Sequence, residues 1–224
     1  MIADQRALPR VACDRVTKLF GSTVALWRVD VEATAGEFAL VHGPNGSGKS
    51  TLLRIVAGLT QPSAGRVRWD GFAGAGPRIA RVGHSSGLYD ALSPLEHIDL
   101  FARLGRTDRD RALEIFAGLG ASHVLGRPCG GLSAGTRRRV ALARAFASGA
   151  DVVLLDEPLA SLDERAVIGV IALIEATIAA GGLVIAAAPS DPRLRAIAQR
   201  TVALIDGHPL HSVRGELGAE FDAV

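Results

Sequence analysis

Short apolar runs alternate along the chain with segments whose apolar residues recur at helical spacing. Four or more consecutive apolar residues are typical of a strand buried on both faces of a parallel sheet, and such runs lie at residues 38–41, 152–155 and 183–188. Residues 11–41 alternate in a strand-like way, residues 66–71 read as a strand ending in a turn, and residues 201–213 resemble a hairpin with an Asp-Gly turn. The mixture of strands and helices predicts an α/β fold.

The middle third of the chain changes to helical spacing. Ser93, Pro94 and Glu96 match a capping box with proline at the first helical position, and apolar residues recur at helical spacing after it. Two further helices are predicted over residues 108–119 and 133–147. We therefore predict that a helical insert interrupts an α/β core.

One segment imitates a membrane span, because Glu175 is the only charge between residues 166 and 189. Gly181 and Gly182 divide this segment into two pieces, and neither piece reaches the roughly 20 apolar residues that a span requires. The favoured interpretation is a buried helix followed by a buried parallel strand.

Residues 43–51 have the sequence Gly-Pro-Asn-Gly-Ser-Gly-Lys-Ser-Thr and fit the phosphate-loop pattern G-x-x-x-x-G-K-[ST]. A strand-like run precedes them, and a helix-like run over residues 51–59 follows. The glycines let successive N–H groups turn toward an anion, and the helix begins with its positive dipole end at the same place. The residues predicted to bind ATP in this loop are Gly43, Pro44, Asn45, Gly46, Ser47, Gly48, Lys49, Ser50 and Thr51.

Two residues of this loop have separate predicted roles. Lys49 reaches the β- and γ-phosphates, and the Ser50 hydroxyl ligates Mg²⁺. Lys18 is the only other lysine in a chain that otherwise uses arginine, and a compact ammonium fits a phosphate cradle where a planar guanidinium would not. The net charge of +2 is too close to neutral to argue for a nucleic-acid partner.

The apolar run at residues 152–155 ends in two acids, Asp156 and Glu157. Ligands of α/β proteins bind at the carboxyl ends of parallel strands. We expect Asp156 to hold Mg²⁺, directly or through water, and Glu157 to orient or deprotonate an attacking water. Glu157 and Lys49 are therefore the predicted catalytic residues.

The order and spacing of these motifs resemble the nucleotide-binding domains of ABC (ATP-binding cassette) transporters from about residue 10 to residue 210. The segment 132–136, Leu-Ser-Ala-Gly-Thr, is similar to the family signature Leu-Ser-Gly-Gly-Gln, and Ser161-Leu162-Asp163 is similar to the D-loop. The resemblance also implies that Phe20 stacks on adenine. ATP and Mg²⁺ are the implied cofactors.

The resemblance implies an α/β fold in which a P-loop NTPase core carries an antiparallel β subdomain and an inserted α-helical subdomain. Residues 1–224 would form one ABC ATP-binding domain. Within it, residues 10–85 and 149–213 would be the RecA-like core with its β subdomain, and residues 86–148 the helical subdomain.

By the same resemblance, two nucleotide-binding subunits form a head-to-tail homo- or heterodimer with ATP at the interface. Ser133, Ala134 and Gly135 of one subunit would contact the ATP held by the other, and Asp163 belongs to the D-loop. The start of a helix at Ser133 makes a second anion site there. A separate transmembrane permease would place the protein peripherally on the cytoplasmic face of the inner (plasma) membrane.

Two positions depart from the family pattern. Ser85 stands where the Q-loop glutamine is expected, and Pro189 where the switch histidine is expected. Losing one γ-phosphate donor typically slows hydrolysis by roughly 10²–10³. The chain is then either a working but slow ATPase, which the retained Glu157 favours, or a regulatory subunit that hydrolyses little.

Within the family, residues 82–97 and 132–144 resemble the ATPases of heme exporters used in cytochrome c maturation. The ATPases of other small-molecule, lipid or polysaccharide exporters are the alternatives. Leu88 and Tyr89 are either contacts for a coupling helix of the permease or part of a loop packed on its own domain.

Three consecutive arginines at residues 137–139 are interpreted as a solvated helix face or as charge near the phosphates. They are not interpreted as a nucleic-acid patch, since three basic residues are too few and the chain has one P-loop. Cys13 and Cys129 are far apart without metal-ligand spacing, so we predict reduced thiols.

Overall fold

A computed structural model describes residues 8–74 and 76–214 of the chain, so both ends of the predicted 1–224 domain lie outside the described residues. The described strands form two sheets, one of three strands and one of six. The predicted α/β fold is confirmed. The division into a core and a helical subdomain at residues 86–148 stays a prediction.

The smaller sheet is antiparallel and has the strand order β2-β1-β4. Its strands are β1 (Arg10–Phe20), β2 (Thr23–Thr34) and β4 (Ala64–Asp70). Val11, Val16 and Val29 are buried from this sheet into the core. Buried and exposed positions alternate along the second half of β2, as in a strand of a sheet with one solvated face.

The larger sheet has the order β5-β6-β7-β3-β8-β9, and all of its strands are parallel except the last. The strands are β3 (Phe38–His42), β5 (Ile79–Val82), β6 (Val152–Asp156), β7 (Leu183–Ala188), β8 (Arg200–Ile205) and β9 (His208–Arg214). Every residue of β6 and β7 is buried, which explains their continuous apolar runs.

Six α-helices accompany these strands in the described residues: α1 (Lys49–Val56), α2 (Pro94–Arg103), α3 (Arg109–Gly118), α4 (Ala134–Phe146), α5 (Glu164–Ala179) and α6 (Pro192–Ile197). The predicted capping box at α2 is confirmed, because Ser93 and Glu96 each accept the other's backbone N–H. Asp108 caps α3 by accepting the Arg111 N–H at 2.7 Å.

Successive residues along a strand of the large sheet face opposite sides of the sheet and enter two different cores, as the pleat requires. Phe38 and Leu40 of β3 face the core shared with α3, α4 and α5. Ala39 and Val41 face the core shared with α1 and the smaller sheet. The phosphate loop and α1 therefore lie on one side of the sheet, and most of α4 packs on the other.

Two predictions of helix extent and burial need correction. The helix after the phosphate loop ends at Val56 rather than at residue 59, because Gly58 takes φ 70° and its N–H bonds back to Ile55. Helix α5 is not buried all round, since Ile168 is 60% exposed. No described helix is long and apolar enough to cross a membrane.

Candidate functional site

The phosphate loop depends on glycine at two positions where neighbouring backbone leaves no room for a side chain. A Cβ on Gly43 would lie 2.0 Å from the Leu204 carbonyl oxygen, and one on Gly48 would lie 2.3 Å from the Ala25 carbonyl oxygen. Both residues also have positive φ, 149° and 96°. Strands β8 and β2 therefore clamp the two ends of the loop and fix its shape.

The start of α1 offers unpaired donors to an anion. Its N-cap is Gly48, which has no side chain to accept a first-turn N–H, and the first turn carries no acid among the described residues. The hydroxyl of Ser47 is buried without a hydrogen-bond partner in the described part of the chain. Free N–H groups and the positive dipole end meet here, so the loop fits a phosphate group.

Lys49 lies folded over the loop and is 6% exposed. Its ammonium donates to the carbonyl oxygens of Gly43 at 2.8 Å and Pro44 at 2.7 Å. Burial lowers the pKa of Lys49, whereas the nearby carboxylates of Glu157 and Asp156 act to raise it. The ammonium is thus held inside the loop, close to the acids at the end of β6.

Ser50 and Asp156, the two residues that the sequence predicts to hold Mg²⁺, are hydrogen-bonded to each other. The Ser50 hydroxyl donates to Asp156 Oδ1 at 2.9 Å, and Asp156 is 2% exposed at the end of β6. Hydroxyl and carboxylate oxygens are suitable ligands for Mg²⁺, which usually binds one or two carboxylates together with phosphates and water. The described residues contain no cluster of three or more acids, histidines or cysteines that would form a metal site without phosphates.

Glu157 occupies a strained turn directly after Asp156. Its φ is 51°, a conformation that costs a non-glycine residue about 1–3 kcal/mol. Its N–H donates to the Ala187 carbonyl oxygen at 2.6 Å, and its side chain is half-buried. Strain of this kind persists where surrounding contacts impose it, so the backbone of Glu157 is fixed before any ligand binds.

The contact that fixes this turn comes from Arg138, a residue that sequence analysis missed. Arg138 donates to the carbonyl oxygens of Gly83 at 2.7 Å, Asp156 at 2.8 Å and Glu157 at 2.6 Å. Burial lowers the pKa of this guanidinium, and the charges of Asp156 and Glu157 act against that shift. The residue connects α4 to the ends of β5 and β6.

Of the two interpretations of residues 137–139, the solvated helix face is therefore wrong, whereas charge near the phosphates stays a prediction. Arg138 is 6% exposed, Arg137 pairs with Asp90 at 2.5 Å and Arg139 pairs with Asp163 at 2.5 Å. A signal for the burial of Arg138 was present, because it lies at helical spacing from the buried residues that follow it in α4.

The signature segment lies at the exposed start of α4. Ser133 caps the helix by accepting the Thr136 N–H at 3.2 Å, and both Ser133 and Ala134 are exposed. Gly135 packs against the D-loop, where a Cβ would meet the Ser161 carbonyl oxygen at 2.2 Å. The D-loop Asp163 in turn caps α5 through the Ala166 N–H at 2.9 Å.

Phe20 lies at the end of β1 with 54% of its surface exposed. The ammonium of Lys18 is 5.0 Å from the centre of its ring. The following strand, β2, passes the phosphate loop at Ala25. Phe20 pairs with Thr23, two residues before Ala25, and its exposed ring suits the stacking on adenine that the resemblance implies.

The two departures from the family pattern lie at the carboxyl ends of the parallel strands. Ser85 follows β5 and Pro189 follows β7, on either side of the strand that ends in Asp156, and both are exposed. His84 is exposed as well. Further along, Leu88 packs on the core, which agrees with the alternative of a loop packed on its own domain. Tyr89 is 61% exposed and its ring stacks on that of His97, with the ring centres 5.4 Å apart. A contact of Tyr89 with a coupling helix stays a prediction.

Comparison with known proteins identifies the class. The family model described as ABC transporter matches residues 26–160, which include the phosphate loop, the signature and Glu157. The chain belongs to the ABC transporter family and is an ATPase of that family. The dimeric bacterial cassette MJ0796 has the same fold, with a TM-score of 0.80, 26% identity and coverage of 91% of this chain and 98% of that one.

Among curated proteins, the chain is similar to cytochrome c biogenesis ATP-binding export proteins CcmA. That of Roseobacter denitrificans is 40% identical over 186 residues, covering 83% of this chain and 86% of the relative. That of Rhodospirillum rubrum is 44% identical over 166 residues, covering 70% of each. A phosphonate import ATP-binding protein, PhnC 1 of Haloquadratum walsbyi, is 37% identical and is covered over 57% of its length.

Proposed function

We propose that this chain hydrolyses Mg-ATP in a head-to-tail dimer to drive export through a separate membrane subunit, and that the cargo is heme for cytochrome c biogenesis. The observation that carries the cargo assignment is the 40% identity to a CcmA protein over 83% of the chain. The proposed location is the cytoplasmic face of the inner membrane, where such a subunit meets its permease.

The chemistry is a transfer of the γ-phosphoryl group of ATP to water. The carboxylate of Glu157 accepts a proton as the water oxygen bonds to the γ-phosphorus, and the bond to the bridging oxygen of ADP breaks. Lys49 and the start of α1 hold the phosphates, while Ser50 and Asp156 hold Mg²⁺. The bound ion supplies charge stabilisation to the transferring phosphoryl group.

The exposed signature supports the dimer. Ser133 and Ala134 are exposed at the N-terminus of a 13-residue helix, where donors remain available to a partner's ATP. ATP would then join two chains, and loss of the γ-phosphate would let them separate. The dimer is either a homodimer or a heterodimer with a similar chain.

A second candidate function is that of a regulatory subunit that binds ATP and hydrolyses little. It is favoured by Ser85 and Pro189, which place a short hydroxyl and a group without a donor where two phosphate-directed side chains are expected. The retained Glu157, fixed by Arg138, favours the active subunit instead.

Phosphate release from Mg-ATP by the purified chain with its membrane subunit tests the activity. We expect measurable hydrolysis, a loss of at least about 10² in rate for Glu157→Gln, and unchanged ATP affinity in that variant. Background release from the unaltered complex would exclude the active subunit and leave the regulatory one.

The cargo is tested separately in a bacterium whose own CcmA gene is deleted. Together with its native membrane subunit, this chain should restore assembly of c-type cytochromes, and the Lys49→Ala variant should not. Stable expression without restored cytochromes would contradict heme export while leaving the ATPase intact.

A further inference from the structure

Arg81 is a charged residue on a partly buried strand, and neither the family pattern nor the proposed mechanism uses it. It lies in β5, the edge strand of the large sheet, and its side chain is 27% exposed. A guanidinium on a strand among apolar neighbours needs partners, because burying an unpaired charge is costly.

The pleat places Arg81 on the side of the sheet that carries the phosphate loop. Ala80 and Val82 face the core on the side of α4, whereas Ile79 packs with the core that contains α1. Alternation then directs Arg81 to the α1 side. Asp156, two residues after Leu154 of the same core, is directed to that side from the neighbouring strand.

The nearest acid to this guanidinium is the predicted magnesium ligand. Arg81 Nη2 lies 4.0 Å from Asp156 Oδ2, while the other carboxylate oxygen accepts the Ser50 hydroxyl. The Arg81 Nε–H is buried without a hydrogen-bond partner in the described residues. A guanidinium that is close to an acid but incompletely paired retains hydrogen-bonding capacity for another acceptor.

Gly83 provides the space in which the guanidinium lies. A Cβ on Gly83 would approach the two terminal nitrogens of Arg81 to 2.7 Å each. Arg138 holds the carbonyl of the same glycine from the other side of the sheet. The end of β5 thus fixes the charge of Arg81 beside Asp156.

We propose that Arg81 is a built-in cation of the nucleotide site, which helps the site hold the phosphates of ATP without Mg²⁺ and weakens its affinity for that ion. This rests on the proposed function. A positive charge attracts the phosphates and offsets Asp156, which would otherwise repel them. The same charge repels a divalent cation at Ser50 and Asp156, so the ion and the guanidinium compete for one carboxylate.

Calorimetric titration with ATP, once in EDTA and once in excess Mg²⁺, tests this proposal. Arg81→Gln should weaken Mg-free ATP binding about tenfold, or ~1.4 kcal/mol, and should leave Mg-ATP binding nearly unchanged. Half-saturation with Mg²⁺ at fixed ATP should then occur at a lower ion concentration. Arg81→Lys, which keeps the charge, should retain most of the Mg-free affinity.

A second variant, Gly83→Ala, tests the same proposal should Arg81→Gln fold poorly, and a third serves as the control. Gly83→Ala pushes the guanidinium away without removing it and should weaken Mg-free binding in the same direction. Arg78→Gln is the matched control, because Arg78 lies before the same strand, is 71% exposed and pairs with Asp151 at the opposite end. It should not change either affinity.

Equal Mg-free affinity in the unaltered protein and Arg81→Gln would overturn the proposal, as would an equal loss with and without Mg²⁺. An unaltered protein that binds no nucleotide under either condition would instead overturn the proposed function, and this inference with it.

Discussion

Gly135 of the signature packs so closely on Ser161 of the D-loop that a Cβ would lie 2.2 Å from the Ser161 carbonyl oxygen. Ser161 itself has φ 61°, so its backbone is already constrained and cannot easily move away from Gly135. We predict that Gly135→Ala lowers the free energy of unfolding by about 1–3 kcal/mol, the usual cost of overpacking. It should also slow hydrolysis, because α4 must move away from the D-loop.

Urea unfolding of the unaltered protein and of Gly135→Ala measures this cost. Gly131→Ala is a suitable control, because a Cβ there meets no described atom within 4 Å. Equal stability of Gly135→Ala and Gly131→Ala would show that the signature and D-loop are not packed as described.

Substitution of Arg138 should reduce the free energy of unfolding more than substitution of most other residues outside the phosphate loop. Replacing it with methionine keeps most of the volume but leaves the carbonyls of Gly83, Asp156 and Glu157 without this donor. We expect a loss of about 2–5 kcal/mol in unfolding free energy. The matched change Arg111→Met removes an exposed pair with Glu114 and should cost less than about 1 kcal/mol.

Chemical denaturation of both arginine variants decides this point. A similar small loss for Arg138→Met and Arg111→Met would contradict the role given to the buried guanidinium.

Restoring the histidine that the family pattern expects should accelerate hydrolysis. Pro189 directly follows β7, is exposed and has no backbone N–H to offer a phosphate. Pro189→His supplies a donor, and one such donor is worth roughly 10²–10³ in rate when it is well placed. We therefore expect phosphate release to rise at least about tenfold.

Pro189→Ala controls for the loss of proline alone and should leave the rate near that of the unaltered protein. If Pro189→His and Pro189→Ala release phosphate at the same rate, the carboxyl end of β7 does not face the γ-phosphate.

Both cysteines should resist alkylation in the native state. Cys13 is 3% exposed, and burial, with the charges of Asp14 and Asp30, raises its pKa to about 12. Burial likewise raises the pKa of Cys129. At pH 8 the thiolate fraction of Cys13 is on the order of 10⁻⁴, so iodoacetamide should modify neither thiol until urea is added. Mass spectrometry follows the modification. Rapid modification in buffer without urea would contradict the packing around the two cysteines.

The local signals in the sequence predicted the elements of the site well. The capping box of Ser93 and Glu96 and the Asp-Gly turn at residues 206–207 involve neighbours in the chain, so their chemistry is visible without the fold. The phosphate loop is equally local, and the structure places Lys49, Ser50 and Asp156 together as expected.

What the sequence did not reveal depends on distant partners. Arg138 reaches carbonyl oxygens that belong to three residues far from it in the chain, and backbone acceptors leave no trace in residue identity. Arg81 becomes notable only when β5 and β6 are paired in register. The run of charge at residues 137–139 suggested a solvated face, and that interpretation is wrong because the partners of these arginines are distant in the chain.

The most direct test of the account is calorimetric titration of the unaltered chain and of Lys49→Ala with Mg-ATP. The loop at residues 43–51 should bind one ATP per chain, and Lys49→Ala should bind it much more weakly, because the ammonium held at Gly43 and Pro44 is lost. Absence of binding by the unaltered chain, even at millimolar nucleotide, would contradict the assignment of this loop and the function built on it.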